Sequence, residues 1–158
     1  MNISLTGMNA VICGSTQGIG LAVAKELSVL GARSFLLARN ENMLQQTISL
    51  LSVHEQQKHE YRVADFSNNI AVDSAIRSIV DHHNIHILIN NTGGPAAGAV
   101  TAATANDFED AFRQHLVNNQ LLAQAVLPGM KEEGYGRIIN IISTSVKIPI
   151  QNLGVSNT

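Results

Sequence analysis

Three glycines raise the first chemical possibility. Gly14, Gly18 and Gly20 stand in Cys-Gly-Ser-Thr-Gln-Gly-Ile-Gly, after a short apolar run and before an apolar-periodic segment. That order predicts strand, tight turn and helix. Without a Cβ, backbone can approach a ligand closely and adopt positive φ at little cost. The free N–H groups and positive dipole end of the next helix suit a pyrophosphate above the turn. Arg39, just after a second apolar run, offers a planar cationic fork for phosphate, or a solvated surface charge. Asp65 closes a third run and equally suits a turn. His115 offers an imidazole that titrates near neutrality, or a ring packed at a helix interface. Ser143 places a hydroxyl at a strand end, where it could also cap a turn. Cys13 reads as a small buried hydrophobe, because nothing nearby makes an electropositive, exposed thiol site. His82, His83 and His86 straddle a helix end and a strand start; no acid or cysteine completes a ligand set, so no metal is expected.

Periodicity sets out the strands and helices that carry these groups. Strands are expected over residues 9–13, 34–38, 59–65, 85–89 and 137–143, the third of them at an edge. Helices are expected over 18–30, from 41 to about 57, from 70 to 83 and from 106 towards 132. Gly31 suits the end of the first, and Ser67, Asn68 and Asn69 supply caps for the third. On the last, Phe108, Phe112, His115, Asn119, Leu122 and Val126 share one face, and Pro128 should bend or end it. Residues 92–103 and the tail from Thr144 read as loop. Strands alternating with helices imply a parallel α/β sheet with right-handed crossovers and helices on both faces.

Composition narrows the class. The chain has 158 residues, enough for one domain with a real core. A net charge of -2 leaves no basic footprint for nucleic acid. No stretch of about 18 consecutive apolar residues exists to span a membrane, and the first residues lack the regions of a signal peptide. With one cysteine there is no intrachain disulfide, which fits a cytoplasmic protein.

Residues 13–20 resemble the cofactor loop of the short-chain dehydrogenase/reductase family. Asn90-Asn91-Thr92-Gly93-Gly94 and Gly136-Arg137-Ile138-Ile139-Asn140-Ile141-Ile142-Ser143 match that family in the same order. The resemblance implies a Rossmann-like doubly wound parallel sheet in which residues 1–158 form a single dinucleotide-binding domain. It assigns Gly14, Ser15, Gln17, Gly18, Ile19, Gly20, Asp65, Phe66, Asn91, Thr92 and Gly93 to the cofactor. An acidic residue after the second strand would bind the ribose 2′-hydroxyl and repel a 2′-phosphate. Ala38-Arg39 stands there instead, which favours NADP over NAD. The resemblance covers the front part of the family's domain. Members add two more strands and helices beyond this point, so about five strands are expected, with C-terminal strands missing. The fifth strand would then expose an apolar edge, leaving the chain poorly stable or self-associating.

The resemblance further implies hydride transfer between a nicotinamide and a small carbonyl or alcohol, a 3-oxoacyl thioester being the favoured ketone. Such chemistry needs a hydrogen bond to the carbonyl oxygen and a proton donor of suitable pKa. Ser143 matches the family's serine. The chain departs from the pattern elsewhere. Ser156 falls where the family's tyrosine stands, and a serine hydroxyl is a far weaker acid than a phenol. The paired lysine lies beyond residue 158. By ungapped counting from Arg137, His115 replaces the helix asparagine, with Asn118 and Asn119 just after; Thr92 replaces an alanine, and Cys13 replaces a threonine. The candidate catalytic residues are therefore Ser143, His115 and Ser156. The family is also commonly homo-oligomeric. The alternative is a dinucleotide-binding, non-catalytic homologue or an inactive fragment.

Overall fold

The structure, a computed structural model, describes residues 3–54 and 57–157. Five strands form one parallel sheet: β1 (Asn9–Cys13), β2 (Arg33–Ala38), β3 (Glu60–Val63), β4 (Ile87–Asn90) and β5 (Arg137–Asn140). Their spatial order is β3-β2-β1-β4-β5. The chain builds outward from β1 through β2 to β3, then crosses back to place β4 on the other side. The strand order therefore reverses between β1 and β4, where crevices form beyond the carboxyl ends of the strands. Val11 lies opposite Phe35 on one neighbour and Leu88 on the other.

Alternation along the central strands feeds two cores. Val11, Cys13, Phe35, Leu37 and Leu88 face one layer, where Val72, Ile76, Ile79, Leu122 and Val126 cover them. Ala10, Ile12, Leu36, Ile87 and Ile89 face the opposite layer, under Ala24 and Leu44. Helices α1 (Gly18–Val29) and α2 (Glu41–Ser49) make that second layer; α3 (Asn69–Val80) and α5 (Asn118–Glu132) make the first. A strand buried on both sides needs apolar residues at every position, which is why β1 and β2 read as unbroken runs. The outer strands are stitched by polar groups. Arg33 pairs with Glu60, which Arg62 also contacts. Burial pushes the Glu60 carboxyl up, but the two guanidinium groups more than offset it and hold it low.

Several element boundaries differ from the sequence expectation. The second helix ends at Ser49, not near residue 57; residues 55 and 56 lie outside the described part. Ser52 then donates its N–H to Ser28 Oγ, a contact 24 residues apart that no local pattern encodes. Pro128 does not end its helix, which continues to Glu132. The carbonyl it leaves unbonded belongs to Gln124, on the exposed face where water can take it. β5 stops at Asn140, short of Ser143, and Ile138 and Ile139 are 39% and 46% exposed. The expected tail loop contains short 3₁₀ turns at Thr144–Val146 and Val155–Asn157, and Val100–Ala102 forms another in the 92–103 loop.

The expected continuous face of the last helix is also corrected. A helix α4 (Ala105–Phe112) runs into a π-helical turn, Arg113–Val117, before α5 begins. A π turn accommodates one extra residue and rotates the next helical segment about the axis. Within α5 the buried line runs in steps of four through Asn118, Leu122, Val126 and Met130, not through Asn119, and the π turn carries Phe112 off that line, 58% exposed.

Candidate functional site

The glycine turn lies at the switch point between β1 and β4. Gly14 and Gly18 have φ of +58° and +54°, a region that side chains rarely adopt. A Cβ on Gly14 would sit 2.5 Å from the Asn91 carbonyl oxygen, and one on Gly20 would sit 2.1 Å from the Gly14 carbonyl oxygen. Asn91 fastens the turn. Its Nδ2 donates to the carbonyls of Cys13 and Gly14 at 3.2 and 3.3 Å, bridging the ends of β1 and β4. Ser15 is buried, its hydroxyl turned inward to the Leu37 carbonyl over a long 3.5 Å. Cys13 is buried too; burial pushes its thiol up to about 12, with a smaller opposing effect from the Asn91 backbone.

The start of α1 differs from the starts of α2, α3 and α4. Asn40 accepts from Met43 N–H at the start of α2. Asn68 accepts from Ile70 and Ala71 N–H groups at the start of α3. Thr104 and Asp107 cap each other's backbone at the start of α4. At α1 the capping position is Gln17, which makes no side-chain cap, and the first turn holds no acid. Its orphan N–H groups and dipole thus keep their capacity for an anion. Gly18 has open space around it and Ile19 is 56% exposed. These features fit a dinucleotide's pyrophosphate.

The flanks hold the other cofactor candidates. Arg39 is exposed just beyond β2. Asp65 accepts from Ser67 N–H at 2.9 Å and from its hydroxyl at 2.8 Å. Those bonds, the backbone one first, hold its carboxyl below the usual range, with a smaller contribution from Arg39. Phe66 packs its ring against the core, and its carbonyl accepts from Asn118 Nδ2 at 2.7 Å. Gly93 is exposed with no atom near its missing Cβ.

The catalytic candidates fall into two groups. His115 sits in the π turn, its Nδ1 2.8 Å from Thr92 Oγ1 at the end of β4. Its Nε2 is buried without a partner among the described residues, and burial lowers the ring's pKa. His115 also borders a cleft of about 400 Å³ lined by Pro95, Asp107, Asp110, Gln114 and Val155. Ser143 belongs to the second group. Its Oγ accepts from Ser145 N–H at 3.1 Å and lies 2.7 Å from Ser145 Oγ. Ser145 donates its own proton to the Ser156 carbonyl at 2.9 Å. One hydroxyl has one proton, so Ser143 must be the donor to Ser145. Ser156 thus joins this group through its main chain. No hydrogen bond connects the two groups among the described residues.

Sequence reasoning missed Ser145, and it noted Asn118 only as a neighbour of His115, without a role. The Ser-Thr-Ser spacing is a signal for local hydroxyl-to-backbone bonding and could have pointed to Ser145. Asn118 is held by its bond to the Phe66 carbonyl, 52 residues away, which leaves no such mark. Among the described residues, no group of three His, Cys, Asp or Glu is arranged to hold a metal.

The sequence profile of the short chain dehydrogenase family matches residues 8–155. The chain belongs to that family. A provisionally named ketoacyl reductase of the granaticin polyketide synthase of Streptomyces violaceoruber is 36% identical over 141 residues, 87% of this chain and 52% of the relative. A tropinone reductase homolog of Arabidopsis thaliana is 30% identical over 98% of this chain and 48% of its own length. A human protein named inactive hydroxysteroid dehydrogenase-like protein 1 is 32% identical over 93% of this chain and 45% of its own length. The chain thus spans about half the length of these short chain dehydrogenase relatives. Among solved structures, L-sorbose reductase from Gluconobacter frateurii, complexed with NADPH and L-sorbose, has a TM-score of 0.92 at 26% identity, covering 99% of this chain and 60% of that one. A metagenomic short-chain oxidoreductase in complex with NADP has a TM-score of 0.83 at 28% identity, covering 97% and 73%.

Proposed function

We propose that the chain is a dinucleotide-binding domain of an NADP-dependent oxidoreductase that acts on a ketone or the matching alcohol. The observation that carries this is the uncapped start of α1, open above a glycine turn at the sheet's switch point. Gly14, Gly18, Gly20 and the α1 N–H groups would hold the pyrophosphate, with Asn91 keeping the two strand ends together. Arg39 would pair with a 2′-phosphate, and neither residue 38 nor residue 39 is an acid that would repel one. Asp65 and Phe66 would border the adenine, and Thr92 and Gly93 the nicotinamide ribose. The bound nicotinamide supplies hydride chemistry; the protein's own part is to orient the substrate oxygen and exchange its proton.

His115 is the group suited to that exchange. Its Nε2 is unpaired but buried, so the exchange requires this edge of the ring to be uncovered beside the cleft; an imidazole titrates far closer to neutrality than a serine hydroxyl does. Ser143 would hydrogen-bond the substrate oxygen once its proton is released from Ser145. A 3-oxoacyl thioester remains the favoured substrate, supported by the ketoacyl reductase relative. A cytoplasmic homo-oligomer with no nucleic-acid partner completes the reading. It is supported by the low net charge and by exposed Phe112 and Leu116 on one helical stretch. Among the described residues, no helix is long and apolar enough to cross a membrane.

A second reading, binding without turnover, is favoured by two observations: Ser156 offers no phenol, and the Ser143 proton is committed to Ser145. Ketone-dependent oxidation of NADPH, followed by absorbance, separates the two. Activity that falls strongly in Ser143→Ala and His115→Asn supports the oxidoreductase. NADPH binding without turnover on any ketone supports the second reading, and no binding of either nucleotide defeats both.

A further inference from the structure

We infer that Thr92 is a positioning residue for His115: its hydroxyl keeps a proton on Nδ1, so that Nε2 is the nitrogen that exchanges a proton with a bound oxygen. The role of that oxygen rests on the oxidoreductase reading; the state of the ring does not. Thr92 Oγ1 lies 2.8 Å from His115 Nδ1, its one hydrogen bond among the described residues. Nε2 is buried and has no partner among those residues. A neutral imidazole carries one N–H, on either nitrogen. If it were on Nε2, a buried N–H would have no acceptor, which proteins rarely tolerate. On Nδ1 it donates to Thr92, leaving Nε2 a bare lone pair, the milder defect.

The surroundings leave this task to Thr92. The 92–103 loop contains no titratable residue, nor does the 153–157 segment that brings Val155 to the same cleft. The ionisable neighbours bordering the cleft are Asp107 and Asp110. Asp107 is occupied at the start of α4, its Oδ2 accepting from Thr104 N–H and hydroxyl. Positions 92 and 115 are also two of the places where the chain departs from its family's residue pattern, and the structure brings them into contact. An alanine at 92 would leave the imidazole without this partner.

The proton step is simple. When Nε2 is uncovered toward the cleft and a bound hydroxyl gives it a proton, the O–H bond breaks and an Nε2–H bond forms. The ring becomes an imidazolium, and Nδ1–H still donates to Thr92. In reverse, Nε2–H protonates a bound oxyanion and the neutral ring returns. Thr92 keeps the ring's orientation in both states.

Two-bond ¹H–¹⁵N correlation spectra of the uniformly ¹⁵N-labelled chain test this without cofactor or substrate. His115 signals are assigned by their loss in His115→Gln. At a pH above the ring's titration, the expected pattern is a protonated Nδ1 and a bare Nε2. Thr92→Val should lose that fixed pattern, its two nitrogen signals moving towards each other, and Thr92→Ser should restore it. A protonated Nε2 in the native chain overturns the inference, even if Thr92→Val does not fold. An unchanged pattern in folded Thr92→Val overturns it as well. If the tautomer is as expected while His115→Gln leaves turnover intact, the catalytic reading of His115 fails and the positioning by Thr92 stands.

Discussion

Gly14→Ala and Gly18→Ala form a matched pair that tests how the glycine turn is held. Both glycines have nearly the same positive φ, +58° and +54°. Each substitution therefore incurs a similar conformational cost, about 1–2 kcal/mol for an L side chain in the left-handed region. Their surroundings differ completely. The Gly18 position has nothing within 4 Å of a new Cβ, whereas at Gly14 it would meet Asn91 O at 2.5 Å and Asn91 Nδ2 at 2.9 Å. That oxygen cannot retreat easily. Asn90, the residue before it, is tied to Asn140 at 2.8 Å, and Asn91 itself is bonded to β1. Overpacking of this kind costs about 1–3 kcal/mol. Gly14→Ala should thus destabilise more than Gly18→Ala by about that amount. Urea unfolding followed by circular dichroism measures the difference. With a slope of about 1–3 kcal/mol per molar urea, the Gly14→Ala midpoint should fall below the Gly18→Ala midpoint by roughly 1 M. Equal midpoints would refute the claim that the β1 and β4 ends are locked against each other.

Three further outcomes are expected. Arg39→Ala should weaken NADPH binding by roughly ten- to hundredfold, the loss of one charge-assisted bond of about 1.5–3 kcal/mol, and leave NADH binding unchanged; fluorescence titration reads both. His115 is depressed by burial below its unfolded pKa, as is His83, whose first cause is also burial. The unfolded chain therefore takes up these protons first, so stability is greatest above about pH 6.5 and falls as pH drops through that value. The carboxylates of Glu60, Asp65 and Asp107 are lowered instead, and their contribution is lost only below about pH 4.5. His115→Asn should flatten the fall in Tm between about pH 7.5 and 5.5; an unchanged slope counts against a buried, neutral ring. Ser145→Ala should cost about 1 kcal/mol in urea unfolding, because it removes the bond from a fully buried hydroxyl to the Ser156 carbonyl.

The central sheet is legible in the sequence because β1, β2 and β4 are buried on both faces and leave unbroken apolar runs. The glycine turn is legible because its spacing is local and its physical demands are strict. The features that escape are set at long range or by single-residue insertion. The early end of α2 is coupled to Ser28 through Ser52. The π turn adds one residue to a helical pattern without any Gly or Pro to announce it, so Phe112 leaves the face that periodicity shares between it and Leu122. The Thr92–His115 bond spans 23 residues. Each of the two stands out alone in the sequence, but periodicity cannot show that they touch. The Ser143 proton is equally hidden, since its direction emerges only once Ser145 is seen bonded to Ser156.

Cys13 gives the protein a built-in clock. It is the chain's single cysteine, fully buried at the end of the central strand, and its thiol is pushed up to about 12. Only the thiolate attacks an alkylating reagent. Labelling of the native chain near neutral pH must therefore wait for β1 to come away from its neighbours. Each alkylated molecule records one such opening, with no probe introduced. Because β1 ends at the glycine turn, slower labelling in the presence of a nucleotide would time how long that ligand keeps the middle of the sheet shut.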